Sequence, residues 1–415
     1  MAFRFLHMAD IHLDTPFSGR EALRDTLRDA LRDALREAVE TAIRESVHAV
    51  LIAGDLFDSE NLSYATLRLI REQLGRLADA GITVLYATGN HDASPSLQVL
   101  ELPSEVVVFS AARPRLAEVR DAVGQTVGIV AGAGYPQAIV RDNLARSFPR
   151  RDSRIPTVGL LHTQLTELSG AGTGYAPCSL ADLAAAGYHY WALGHIHKPQ
   201  SFQGGRVWYP GCLCGRDYGE IGLRGAVLAE ISDDGAVSAQ FVPLSGVGWL
   251  DVSVAALRDI TDFDTLREHV QRAVIAQMED LGAARLMIRV QISGQCGLYR
   301  RLTDASAQEN LDGLAQDLCD RLGALDVTVV ARGVTRPIDV REWRGQPHML
   351  SQMLDMLEEA TRDDAALDAA LSEIPPDAGL YGAHGKTEPE KRAYARQLLG
   401  DLPLRLCEKM IKEDE

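Results

Sequence analysis

Over its first 230 residues the chain alternates short apolar runs with stretches whose apolar positions recur every three to four residues. That alternation predicts strands covered by helices. Phe3–Met8 reads as a first strand. Leu23, Leu27, Leu31, Leu35 and Val39 lie four apart with Arg and Asp between them, which predicts one long amphipathic helix over 20–46. Strands follow at Ala49–Ala53, Thr83–Ala87, Val106–Phe109, Val127–Ala131, Thr157–Leu161, Tyr190–Leu193 and Val207–Tyr209. Residues 249–337 then read strand, helix, strand, helix, strand: WLDVSV, Phe263–Glu279, ARLMIRVQI, Gln308–Leu322 and DVTVVARGV. After Pro337 the pattern is wholly helical, with Met349–Arg362, a linker holding Pro375 and Pro376, Pro389–Leu399 and a last segment to Glu415. These shifts divide the chain into residues 1–248, a small α/β unit at 249–337 and a helical tail at 338–415.

A length of 415 residues suits two or three domains, each able to bury its own core. Hydrophobic residues at 46% and charged residues at 24% exclude wholesale disorder. The net charge of −16 disfavours a protein that coats nucleic acid by basic charge alone. It leaves open an enzyme that meets phosphate through bound cations. No run approaches the roughly 20 apolar residues of a membrane span, and MAFRFLHMAD lacks a signal-peptide layout. Six cysteines are too few for a disulfide framework, so a reduced, cytoplasmic protein is expected.

The chemistry-bearing residues stand where predicted strands end. They are Asp10-Ile11-His12, Gly54-Asp55-Leu56-Phe57-Asp58, Gly89-Asn90-His91-Asp92, His162 and Gly194-His195-Ile196-His197. In α/β sheets the rim at the carboxyl ends of the strands is where ligands bind. Asp10, His12, Asp55, Asn90, His162, His195 and His197 make seven potential metal ligands. With Asp55 bridging, Asp10, His12, Asp55 and His197 serve one ion, and Asp55, Asn90, His162 and His195 the other. This mixed set suits Mn²⁺, Fe²⁺ or Zn²⁺ better than Mg²⁺ or Ca²⁺, and paired ions are an arrangement that phosphoryl transfer uses. His91 is left over to protonate or stabilise a leaving oxygen, with Asp58 placed to orient its ring. Any one motif has a bland reading as a turn, a helix entry or a packed histidine. Five in this order, each after a strand, do not.

Taken together these motifs resemble the metallophosphoesterase superfamily. More narrowly, HMADIHLDTPF, GDLFD, GNHD and GHIHKPQ followed by YPGCLCGRDYGE are similar to SbcD-type DNA repair exonucleases, closest to the YhaO-like branch. The resemblance implies a two-sheet sandwich flanked by helices for the nuclease part. It also implies a small α/β cap domain that positions DNA and a helical C-terminal tail that docks on an SbcC-like coiled-coil ATPase, with a homodimer possible. It places two divalent ions, Mn²⁺ foremost, on the seven ligands, the catalytic histidine on His91 and its supporting acid on Asp58. Leu13-Asp14 and Asp58 depart from many relatives, as do the cysteines of Gly211–Gly215, but no ligand is lost.

Basic residues that could track a DNA backbone are Arg113, Arg115, Arg141, Arg146, Arg150, Arg151 and Arg154, then Lys198, Arg206 and Arg216. A solvated arginine-rich face is the plain alternative. The expectation is a metal-dependent DNA nuclease. Two alternatives are a phosphodiesterase or phosphatase for a small molecule or phosphoprotein, and a non-catalytic DNA-repair scaffold.

Overall fold

The computed structural model describes residues 2–59, 62–93, 102–103, 105–151, 154–169, 174–278, 281, 285–372 and 388–410. Fifteen strands are present among them. In chain order the first four are β1 (Phe3–Met8), β2 (Ala49–Ala53), β3 (Thr83–Ala87) and β4 (Val106–Phe109). Next come β5 (Arg115–Arg120), β6 (Thr126–Ala133), β7 (Thr157–His162), β8 (Tyr190–Gly194), β9 (Gln200–Phe202) and β10 (Val207–Tyr209). The rest are β11 (Gly225–Ile231), β12 (Val237–Pro243), β13 (Val247–Val254), β14 (Arg285–Gln295) and β15 (Asp326–Thr335).

Two six-stranded sheets lie within residues 3–243, in the orders β12-β11-β1-β2-β3-β4 and β5-β6-β7-β8-β10-β9. Strands β1 to β4 run parallel, as do β6, β7, β8 and β10, whereas β11, β12, β5 and β9 are antiparallel additions. The expected two-sheet α/β sandwich flanked by helices is therefore present.

Parallel strands must be buried on both faces, and both faces are covered here. Between the sheets lie Phe3, Phe5, Leu51 and Leu85 from one side and Val130, Val158, Leu160 and Tyr190 from the other, all buried. The outer face of the first sheet is covered by α1 (Arg24–Arg44) and α2 (Tyr64–Asp79). Leu27, Leu31, Leu35 and Val39 of α1 and Leu69, Ile70, Leu74 and Leu77 of α2 turn inward, as the four-residue spacing predicted for α1. Ser63 caps α2 by accepting from the Thr66 amide at 3.2 Å. The outer face of the second sheet is covered by Leu144, Phe148, Leu183 and Tyr188.

Four strands escaped the hydrophobic pattern: β5, β9, β11 and β12. Three of them are sheet edges, where exposed residues dilute the apolar signal. The predicted 20–46 helix begins later, because a 3₁₀ turn at Glu21–Leu23 precedes α1.

Contacts divide the chain into two compact units. One comprises Met1–Asp251, Ala276–Ile288 and Gly323–Asp326, and the other Val252–Ile275, Arg289–Leu322 and Val327–Glu415. In the second, helices Phe263–Met278 and Ala307–Leu322 accompany the sheet β13-β14-β15. The tail helices Met349–Arg362, Asp364–Ser372 and Glu388–Met410 follow, with Leu350, Leu354, Cys407 and Ile338 clustered. Arg392 pairs with Asp368 at 2.5 Å to tie the last two helices together. The linker expected at Pro375 and Pro376 lies outside the described residues, as does Glu279. No helix among the described residues is long and apolar enough to cross a membrane.

Leu160 sits fully buried in the inter-sheet core. Leu160→Ala should therefore lower unfolding stability by about 2–5 kcal/mol. Urea titration followed by circular dichroism reads this, and an unchanged midpoint would contradict the packing described.

Candidate metal centre

The loops that follow β1 and β2 are laced to each other before any side chain enters. The Asp10 amide donates to the Gly54 carbonyl, His12 to Asp55 and Leu13 to Leu56, each at 3.0 Å, and the Asp58 amide returns to Leu13 at 3.0 Å. This pairing bends the chain sharply. Asp10, His12, Asp55 and His195 all adopt positive φ, at 50°, 50°, 53° and 103°, a region that costs a non-glycine residue of order 1–3 kcal/mol. Two glycines make room. A Cβ on Gly54, at φ +91°, would lie 2.3 Å from His162 Nδ1, and one on Gly89 would lie 2.2 Å from Asp55 Oδ1.

The side chains converge from five strand ends belonging to both sheets. Asp10, His12, Asp55 and His162 are all buried. Hydrogen bonding fixes the tautomers. His162 Nδ1–H donates to the Ala53 carbonyl at 2.9 Å, because a carbonyl can only accept. That leaves the Nε2 lone pair facing Asn90 Oδ1 at 3.0 Å and Asp55 Oδ2 at 3.5 Å. In the same way His197 Nδ1–H donates to the Glu220 carboxylate at 2.6 Å, and Nε2 stands 3.6 Å from Asp10 Oδ1. His12 Nδ1 faces Asp58 Oδ1 at 3.2 Å and Nε2 faces Asp55 Oδ2 at 3.8 Å. Beyond these two carboxylates, neither buried nitrogen of His12 meets a partner among the described residues.

At His162 Nε2 acceptor therefore faces acceptor, and the ring nitrogens of His12 and His197 face carboxylate oxygens. Ligand atoms of Asp10, His12 and His197 lie within 4.8 Å of one another, as do those of Asp10, Asp55 and His162, and those of His12, Asp58 and His91. Lone pairs and carboxylates aimed at one another with no proton between them are the donor set of a divalent cation, so the residues present fit one.

The protonation states of His12 and His195 agree with this. Burial holds His12 below the usual histidine range, and burial followed by the neighbouring His162 takes His195 down to about 3. Both rings are thus neutral and able to ligate near neutral pH. His197 is raised against its burial by the hydrogen bond to Glu220 and the charge of Asp10.

His195 and His91 differ from the others in setting. The His195 ring packs on His162 and on Tyr175, with centroids 5.2 and 4.7 Å apart, and its amide donates to both Asp10 oxygens at 3.1 and 3.0 Å. His91 is exposed, and its Nδ1–H donates to the main-chain carbonyl of Asp58 at 2.9 Å. It was the Asp58 carboxylate that was expected to orient this ring. The carboxylate instead faces His12 and Arg216, at 3.2 and 3.3 Å, because those groups offer it positive or donor character.

Residues 3–199 match the family described as Metallophos: Calcineurin-like phosphoesterase. With the ligand set above, this stretch of the chain is similar to the metallophosphoesterase superfamily. A Bacillus subtilis (strain 168) protein named Uncharacterized metallophosphoesterase YhaO is 32% identical, over 62% of this chain and 63% of its own length. The chain thus spans a little under two thirds of that relative. A component of the nuclease SbcCD from Rhodobacter capsulatus is 28% identical over 58% of this chain and 69% of its own. The DNA double-strand break repair protein Mre11 of Methanopyrus kandleri is 26% identical over 68% and 66%. Divalent metal ions are the cofactors that the family and these ligands imply.

Two supporting residues of this candidate centre carried no role predicted from the amino-acid pattern. Asp92 is buried and accepts from the amides of Leu56 and Gly89, both at 2.6 Å, and from the Tyr86 hydroxyl. Burial and the nearby Asp55 push it up to about 6. Glu220, also buried, carries the bond to His197. Both lie inside the motifs already singled out, and that was their only signal.

The basic residues expected to face DNA divide. Arg216 turns inward to Glu220 and Asp58, a correction explained by two shielded carboxylates needing a counter-charge. Arg115 donates to the Val108 carbonyl at 2.7 Å, Arg151 lies beside His189 and Arg146 binds Asp182 at 2.9 Å. Arg113, Arg141, Arg150, Arg154, Lys198 and Arg206 are exposed.

Because the acceptors repel each other without a cation, Mn²⁺ at 100 times its Kd should stabilise the fold by about 2.7 kcal/mol per site, and EDTA should reverse this. In Gly89→Ala, whose new methyl displaces Asp55, the thermal shift should shrink or vanish. A wild-type melting curve indifferent to every divalent ion would contradict the site.

Proposed function

We propose that this chain is a metal-dependent DNA nuclease, the hydrolytic component of a complex with an SbcC-like coiled-coil ATPase. The convergence of Asp10, His12, Asp55, Asn90, His162 and His197 acceptors on one rim carries the hydrolytic half of this reading. The names of the relatives support the DNA half. Their matches cover up to 68% of the chain and so extend past residues 3–199, into the region expected to form a cap.

When bound, paired divalent ions polarise a phosphoryl oxygen and lower the pKa of a water. Everything else falls to the chain. Asp10 and Asp55, flanked by these histidines, would supply the negative charge that holds the ions beside the substrate. Asp55 is kept below the usual carboxylate range by His162 and His12 despite its burial. His91, with Nδ1–H held by the Asp58 carbonyl, lies at the exposed rim, where its imidazolium form can deliver the Nε2 proton to a leaving oxygen and be left as the neutral ring. This mixed nitrogen and oxygen set accepts Mn²⁺, Fe²⁺ or Zn²⁺, and the resemblance to SbcD-type nucleases puts Mn²⁺ first.

Partner docking falls to the tail. Met349 and Met356 stand 64% and 69% exposed on the Met349–Arg362 helix, while Leu350 and Leu354 pack inward. This two-faced helix supports docking of an amphipathic partner.

The test is cleavage of end-labelled linear duplex and single-stranded DNA with Mn²⁺. Wild-type cleavage should fall about 10²–10⁴-fold in His91→Ala with both ions retained, whereas Asp55→Ala should lose ions and activity together. Hydrolysis of bis-p-nitrophenyl phosphate but of no DNA, with or without the ATPase, would favour a small-molecule phosphodiesterase instead.

A further inference from the structure

Arg216 occupies an unusual position for a residue outside every metal-ligand motif. Its guanidinium reaches Glu220 Oε1 at 3.0 Å and Asp58 Oδ1 at 3.3 Å, and lies 2.9 Å from His197 Nδ1. Each carboxylate it touches faces the Nδ1 of a different histidine, Glu220 that of His197 and Asp58 that of His12. The chain of contacts His12, Asp58, Arg216, Glu220, His197 is thus an unbroken arch, and its two ends present Nε2 to Asp55 and Asp10.

The arch is built into the fold. Glu220 Oε2 accepts from the Arg216 amide at 2.7 Å, so residue 220 is locked to the backbone of residue 216 as well as to its side chain. Buried Arg224 donates to the carbonyls of Glu220, His197 and Ile221 at 3.3, 3.1 and 2.8 Å. That fixes the main chain beneath both feet of one side. A planar, permanently charged fork is suited to bridging two carboxylates at once, which an ammonium does less well.

Among the described residues no such bridge serves the other half of the centre. There His162 is oriented by the Ala53 main-chain carbonyl and faces Asn90, and the His195 ring packs on Tyr175. The two halves are held by different means.

We infer that Arg216 is a positioning residue for one metal half only, clamping His12 and His197 through Asp58 and Glu220. This rests on the metal-centre reading above and deepens it. Carboxylate partners of ligating histidines set ring orientation and basicity, and losing such a partner costs about 10–100-fold in affinity. Loss of Arg216 removes the shared counter-charge of both carboxylates, so His12 and His197 lose their common registration while Asn90, His162 and His195 keep theirs.

The experiment is Mn²⁺ titration of metal-free protein by calorimetry, with electron paramagnetic resonance to separate paired from isolated ions. Wild type should bind two equivalents and show the exchange-coupled signal of neighbouring ions. In Arg216→Met one equivalent should weaken about 10–100-fold, leaving an isolated-ion signal, and Arg216→Lys should recover part of the loss. Glu220→Gln, which keeps the side-chain volume, should reproduce the one-ion loss should Arg216→Met fold poorly. Asn90→Ala serves as the control that weakens the opposite half. Two wild-type-like equivalents in both Arg216→Met and Glu220→Gln would overturn the inference and leave the centre intact. Fewer than two in the wild type would overturn the centre itself.

Discussion

Electrostatic opposition organises this molecule. Asp10 and Asp55 are withdrawn from water, and the lone pairs of His12, His162 and His197 and the oxygen of Asn90 point toward them. In a low-dielectric interior such groups repel one another and each loses its hydration. Only positive charge placed among them relieves both costs at once. A protein with a net charge of −16 has no surplus of cationic side chains to supply it, and the described structure brings only Arg216 close. The remaining compensation is left to divalent ions.

The sandwich exists to hold that opposition in place. Its central strands run parallel in both sheets, so their carboxyl ends gather on a rim where two sheets rather than one contribute ligands. The apolar layer of Phe3, Phe5, Leu51, Leu160 and Tyr190 is rigid enough to support four ligand residues at positive φ. Strain of that kind persists where surrounding packing over-determines it. Here the β1 and β2 loops supply the restraint through their mutual ladder of amide bonds. Around the ligands, Asp92 ties the third loop to the second, and Glu220, Arg216 and Arg224 tie the last loop to its neighbour.

This arrangement separates two uses of positive charge. Arg216 and Arg224 work inside, where they neutralise carboxylates and hold carbonyls, and neither reaches outward to a substrate. Exposed residues such as Arg113, Arg150 and Lys198 stand outside, where salt screens them. The arginines that hold the centre together are therefore different from those exposed to solvent. His91 lies between these two zones, tethered by one nitrogen and open at the other.

Much of this was legible without coordinates. The ligands could be read because each follows a short apolar run, and burial in a parallel sheet demands such runs. The parallel interior strands and α1 announced themselves for the same reason, whereas β11, interior but paired antiparallel on both sides, did not. The edge strands β5, β9 and β12 did not, since an edge needs no continuous apolar signal. The amino-acid sequence by itself determined the order of strands and ligands, the choice of nitrogen and oxygen donors, and the glycines that let the loops turn. Only the tertiary structure decided which carboxylate meets which histidine. It sent the Asp58 carboxylate to His12 rather than His91, turned Arg216 from the surface into the site, and gave Glu220 its place beside His197. Those pairings join residues 23 to 158 positions apart. Local pattern carries no information on such contacts, because they are selected by where buried charge finds its counter-charge once the sheets have packed.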